Sequence, residues 1–219
     1  MTVDLTALPL AWLTNALLTL ALLALLLVGT WSDSKHNQRV PFWVMYGLLA
    51  GGATGALVHG QWLAAVAALA VALASSVPDL VLPRGARIAL SLAGAFGASA
   101  LADGNLNLTI GLIGMFSAWL LWELHFMGGA DATAMVALLA FYSHAGFLWW
   151  LLAVTAASGL VELALRFWGT APLLVLQSAQ RLATGRVPTR QELETQGTAS
   201  LWRFAAAGIT YAAWLALAH

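Results

Sequence analysis

Long apolar runs alternate along the chain with short polar or Gly/Pro breaks. A helix needs about 20 apolar residues to cross the hydrocarbon core of a bilayer, with about 17 as a working minimum. Runs near that length extend from Leu8 to Gly29, Phe42 to Val58, Gln61 to Val77, Ile88 to Ala102, Leu108 to Met127, Asp131 to His144, Phe147 to Leu165 and Leu201 to Ala218; the fourth and sixth are short. The pattern predicts an all-α, polytopic transmembrane bundle of about eight spans, forming a single membrane-embedded domain over residues 1–219. The first run has no basic segment ahead of it and exceeds the ~7–15 residues of a signal-peptide core, so it reads as a retained helix. Segment 167–200 is expected at the cytoplasmic surface, because Leu173, Leu174, Leu176, Ala179 and Leu182 make an apolar stripe opposite Gln177, Gln180 and Arg181. The polar stretch from Thr189 to Gly197 then leads into the last run.

Charge placement orients this scheme, since basic residues favour the cytoplasmic side. With the N-terminus outside, Lys35 and Arg39 follow the first span and Arg84 and Arg87 follow the third. Arg166, Arg181, Arg186, Arg190 and Arg203 surround the long loop, so all nine Lys and Arg fall inside. The outer connections, including His59-Gly60, Asp103 to Asn107 and Ala145-Gly146, contain none. An even number of spans returns the C-terminus to the outside of the inner (plasma) membrane.

Composition agrees: 61% of residues are hydrophobic and 8% charged, against about 45–50% and 25% in soluble domains. The chain has no cysteine, which removes disulfides, thiolate metal sites and Cys nucleophiles. Zero net charge and the lack of a basic run argue against a nucleic-acid partner. Trp31, Trp43, Trp62, Trp149 and Trp150 lie at or near span ends and read as interface anchors and packing.

Ionisable groups in or beside spans are costly, about 2.5–3.5 kcal/mol at a helix centre on insertion scales. Asp33, Asp79, Glu123, Asp131 and Glu162 therefore stand out, with His36, His125 and His144 beside them. Taken alone, Asp33 reads as an interfacial acid offsetting Lys35 and Arg39, and Asp131 as the N-cap of the sixth span after a Gly-Gly helix break. Together they mean more. Four spans separate them, so both return to the cytoplasmic side, and two neighbouring carboxylates at the edge of hydrocarbon share one proton. One then activates water while its protonated partner polarises a peptide carbonyl.

Two stretches resemble the type IV prepilin peptidases and archaeal preflagellin peptidases, membrane aspartic proteases of the Gly-x-Gly-Asp type. Gly128-Gly129-Ala130-Asp131, with the following residues to Leu138, is similar to the family's second motif; Asp33 through Arg39-Val40-Pro41 is similar to the first. The resemblance implies Asp33 and Asp131 as the catalytic pair, with Gly128, Gly129 and Pro41 as supporting motif positions, and a pilin-like precursor with a basic leader and a hydrophobic helix as the partner. It implies no cofactor or metal. Asp33 stands eight residues before Pro41 where the family has seven, Phe42 replaces the usual Asn, and Thr133 stands where Lys is usual. The Cys-rich domain of many bacterial members is missing, so N-methyltransferase activity is not expected.

Glu123, His125 and Asp79 are candidates for a supporting shell around the pair, against the plainer reading that they snorkel to the interface or end a helix. Glu162 and Arg166 have i,i+4 spacing and suit a local pair. Asp33, His36, His125 and Asp131 are competent metal ligands, though no His-x3-His spacing supports a metal. The competing functional class is a transporter or pilus-assembly factor using the same carboxylates for proton or cation coupling or for precursor binding. Such a relay needs ionisable groups across the membrane, and the outer halves of the spans hold almost none.

Overall fold

A computed structural model describes residues 7–35, 40–167 and 200–218, together with 176, 179, 180, 183 and 184. The main helices are α1 (Ala7–Lys35), α2 (Phe42–Val58), α3 (Trp62–Ser76), α4 (Arg84–Leu101), α5 (Leu106–Glu123), α6 (Gly129–Tyr142), α7 (Ala145–Phe167) and α8 (Leu201–Ala218). Each coincides with one of the apolar runs, and no strand occurs among the described residues. Three segments are long and apolar enough to cross a membrane: Leu13–Lys35, Leu106–Glu123 and Ala145–Glu162. Shorter apolar helices cover Phe42–Val58, Trp62–Ser76, Gly129–Tyr142 and Leu201–Leu217. Large apolar side chains such as Leu20, Phe42, Leu73, Phe96 and Leu217 are exposed, a surface consistent with a helical membrane protein.

The helix α6 forms the centre of the bundle. It is apolar on all sides, so no face of it suits solvent, and Ala132 and Ala134 to Phe141 are all buried. Around it pack α2, α3, α5, α7 and α8, with α4 against α5 and α1 against α2 and α8. Small residues permit the closest contact, between α2 and α6. A Cβ on Gly52 would lie 2.5 Å from the Ala137 carbonyl oxygen, and one on Gly55 would collide with the Phe141 ring. Gly94 makes similar room for Phe116, whereas nothing lies within 4 Å of a Cβ at Gly97.

The two ends of the bundle differ in chemistry. At one end lie Lys35, Asp33, Arg84, Arg87, Glu123, Asp131 and Arg203, near the C-terminal ends of α1, α3 and α5 or the N-terminal ends of α4, α6 and α8. At the other, Tyr142, Phe147, Trp150, Tyr211 and Trp214 form a network of ring contacts. The connections at 59–61, 102–105 and 143–144 carry no Lys or Arg.

Several boundaries shift from those the sequence pattern suggests. The first helix continues beyond Gly29 to Lys35, so Asp33 belongs to α1. Arg84 and Arg87 lie in the first turns of α4, where the positive end of the helix dipole disfavours cations; acidic partners described below offset this. Pro41 occupies the N-cap of α2, with φ −59°, and its carbonyl accepts from Val44 N–H at 3.0 Å. Gly128 is the N-cap of α6 and Asp131 lies within its first turn, so Asp131 is not the N-cap. The stripe expected over 173–182 lies outside the described residues apart from Leu176, Ala179 and Gln180, as do His36, Arg39, Arg181, Arg186, Arg190 and the stretch 189–197.

Candidate active site

Asp33 and Asp131 come together at the start of α8. The first N–H groups of any helix lack intrahelical acceptors, and its positive dipole end favours carboxylates. Asp33, only 7% exposed, takes one of these donors: Leu201 N–H donates to its Oδ2 with N···O 3.3 Å. The preceding residue, Ser200, donates its hydroxyl to Oδ2 of Asp131. Two consecutive residues therefore hold two carboxylates that are 98 positions apart in sequence. Arg203 lies in the same first turn of α8.

The glycines of the Gly-Gly-Ala-Asp stretch have a steric role here. A Cβ on Gly128 would lie 3.3 Å from Asp131 Oδ2, and one on Gly129 would lie 3.2 Å from Trp122 Nε1. A side chain at the first would crowd the carboxylate and at the second the indole, so this turn needs small residues. Ser32, next to Asp33, is also buried, while Lys35 lies over the Trp31 ring at 4.8 Å from its centroid. Lys35 is thus turned towards an aromatic face, while Asp33 accepts from the backbone of α8.

Glu123 and Asp79 belong to a second polar cluster. Arg87 Nε donates to Glu123 Oε1 at 2.7 Å and Arg87 Nη2 to Asp79 Oδ1 at 2.7 Å. Trp119 Nε1 donates to the same Glu123 oxygen at 3.2 Å, and Arg87 Nη1 donates to the Leu82 carbonyl at 3.0 Å. Arg84 Nε donates to the Glu123 carbonyl at 2.6 Å, satisfying the C-terminal end of α5. Arg87 and Glu123 are both buried, whereas the Asp79 side chain is 77% exposed. This cluster joins the 77–83 connection and α4 to α5, and neither of its acids bonds Asp33 or Asp131. His125 adopts φ +62° in the turn that ends α5. Glu162 pairs with Arg203 of α8; the side chain of Arg166, its expected partner, lies outside the described residues.

Among the described residues no group of three or more His, Asp or Glu gathers in a way that could hold a metal. An apolar cleft of about 120 Å³ lies between α2, α3, α5 and α6, with Met45, Tyr46, Val71, Trp119, Trp122 and Ala132 in its wall. Its α6 residues, Gly129, Ala132, Thr133 and Val136, recur at helical spacing on one face; Asp131 points from a different face.

Sequence reasoning missed Ser200, the Leu201 N–H and Arg203. A Ser directly before an apolar run is a readable helix-start signal, but its hydroxyl is used by another helix, and no local pattern encodes that. The fold and site together define an all-helical protein, consistent with a membrane location, that carries a carboxylate pair at the charged end of its bundle. No protein-family model, curated protein or solved structure matches the chain.

Proposed function

We propose that this protein is a membrane aspartic endopeptidase that removes the leader from pilin-like precursors at the cytoplasmic face. In this reading it spans the inner membrane eight times with both termini outside, which puts the charged end of the bundle in the cytoplasm. The observation that carries the proposal is the meeting of Asp33 and Asp131 on Ser200 and Leu201. The resemblance of both Asp-bearing stretches to prepilin and preflagellin peptidases supports the same conclusion and supplies the substrate class.

The chemistry needs one ionised and one protonated carboxyl group, as two such acids sharing a proton provide. The ionised acid takes a proton from water as its oxygen attacks the scissile carbonyl carbon; the protonated acid donates a hydrogen bond to the carbonyl oxygen. When the tetrahedral adduct collapses, the C–N bond breaks and the departing nitrogen receives the proton taken from water. The products are a carboxylic acid and an amine.

Co-expression of a pilin-like precursor with wild type, Asp33→Asn and Asp131→Asn tests the assignment. Each carboxamide keeps the shape of the side chain but cannot serve as the base, so leader removal is expected to fall by about 10³-fold or more. Normal trimming by either variant overturns the pair.

A further inference from the structure

The geometry points to Ser200 as a positioning residue of the carboxylate pair: its hydroxyl holds Asp131 while the next backbone N–H holds Asp33, so that α8 assembles the two acids before substrate arrives. This rests on the peptidase reading for its kinetic consequence. The preassembly itself rests on geometry alone.

Asp33 and Asp131 are carried by α1 and α6, and the helix pairs that meet around them are α1 with α8 and α6 with α8. The start of α8 is therefore the element shared by both acids. Ser200 sits immediately before α8, where a serine ordinarily caps its own helix by accepting from an N–H two or three residues on. Here its hydroxyl donates to Asp131, and a carboxylate on α1, Asp33, accepts from Leu201 N–H. The capping function has thus passed to Asp33, and the serine hydroxyl is committed to Asp131. A Cβ on Gly128 would lie 3.3 Å from the same Oδ2 that Ser200 bonds, so the glycine keeps a side chain from crowding that oxygen. A charge-assisted O–H···O bond is directional, so it limits the rotamers of Asp131 at the point where general acid–base geometry is most demanding.

The test compares Ser200→Ala, Ser200→Gly and Ser200→Thr in purified full-length protein, with a pilin-like precursor as substrate. Glycine is nearly as good a helix cap as serine but has no hydroxyl; threonine keeps the hydroxyl. Positioning predicts that S200A and S200G both lose about tenfold in kcat with KM little changed, and that S200T stays within about threefold of wild type. Wild-type kcat in S200G overturns the proposal, as does equal loss in S200A and S200T, or a loss confined to KM. If the wild type cleaves no precursor, the peptidase reading fails, and the tether is judged by thermal unfolding of S200A, D131N and the double variant. Non-additive shifts in Tm sustain the Ser200–Asp131 contact, and additive shifts overturn it.

Discussion

Among single residues, the strongest structural commitment is Arg87. It is buried against Glu123, which is also buried, and it serves two carbonyls as well as the exposed Asp79. Removing one member of a buried ion pair leaves an uncompensated charge, at a cost of about 3–5 kcal/mol. Arg87→Ala is expected to lower thermal stability in detergent by an amount in that range, while Asp79→Ala, a partner largely in solvent, is expected to change it by less than about 1 kcal/mol. Equal losses in the two variants would mean that burial does not set the strength of this cluster. Asp33 and Asp131 contrast with Arg87, because among the described residues neither carboxylate forms an ion pair with a cationic side chain. The donors they do have, a backbone N–H and a serine hydroxyl, neutralise no charge.

Among the helices, position follows from the faces that small residues leave open. The contact of α2 with α6 is backbone-close at Gly52, where an added methyl would meet the Ala137 carbonyl and neither backbone can yield locally. Gly52→Ala is therefore expected to destabilise the protein by about 1–3 kcal/mol or more. Gly97→Ala, with open space around its Cβ in a helix interior, is expected to be neutral or stabilising by up to about 1 kcal/mol. Unfolding midpoints of the two variants in one detergent check both expectations, and a stable Gly52→Ala would mean that α2 and α6 can separate without loss. The same contact explains why α6 can be only 14 residues long. At about 1.5 Å per residue it spans about 21 Å, and its surroundings are mostly other helices rather than lipid. Asp131 sits in its first turn, at the end of this enclosed helix, where it can be reached from α8.

At the level of the whole molecule, the end-to-end difference in charge is the feature from which the proposed orientation in a bilayer is argued. The chain contains no native cysteine, so single cysteines can report on sidedness without background. Leu80→Cys replaces a residue that is 98% exposed at the charged end, and Asp103→Cys lies in the α4–α5 connection at the opposite end. A membrane-impermeant maleimide added to intact cells is expected to label Asp103→Cys and to reach Leu80→Cys only after permeabilisation; the reverse pattern overturns the proposed orientation. Much of this architecture was legible in sequence. The spacing of Gly and Pro breaks separates the apolar runs that become α1 to α8, and the one-sided Lys and Arg positions anticipate a charged end, because hydrophobic length and charge are local properties of the chain. Parity along those runs was enough to assign Asp33 and Asp131 to the same end. Tertiary structure alone decided which element joins them. It extended α1 far enough to bury Asp33, moved Glu123 and Asp79 into a separate cluster around Arg87, and brought Ser200 and Leu201 to the two acids. Those outcomes depend on which helix faces pack together, and side-chain hydrogen bonds between residues 69 and 168 positions apart leave no periodic trace in the sequence.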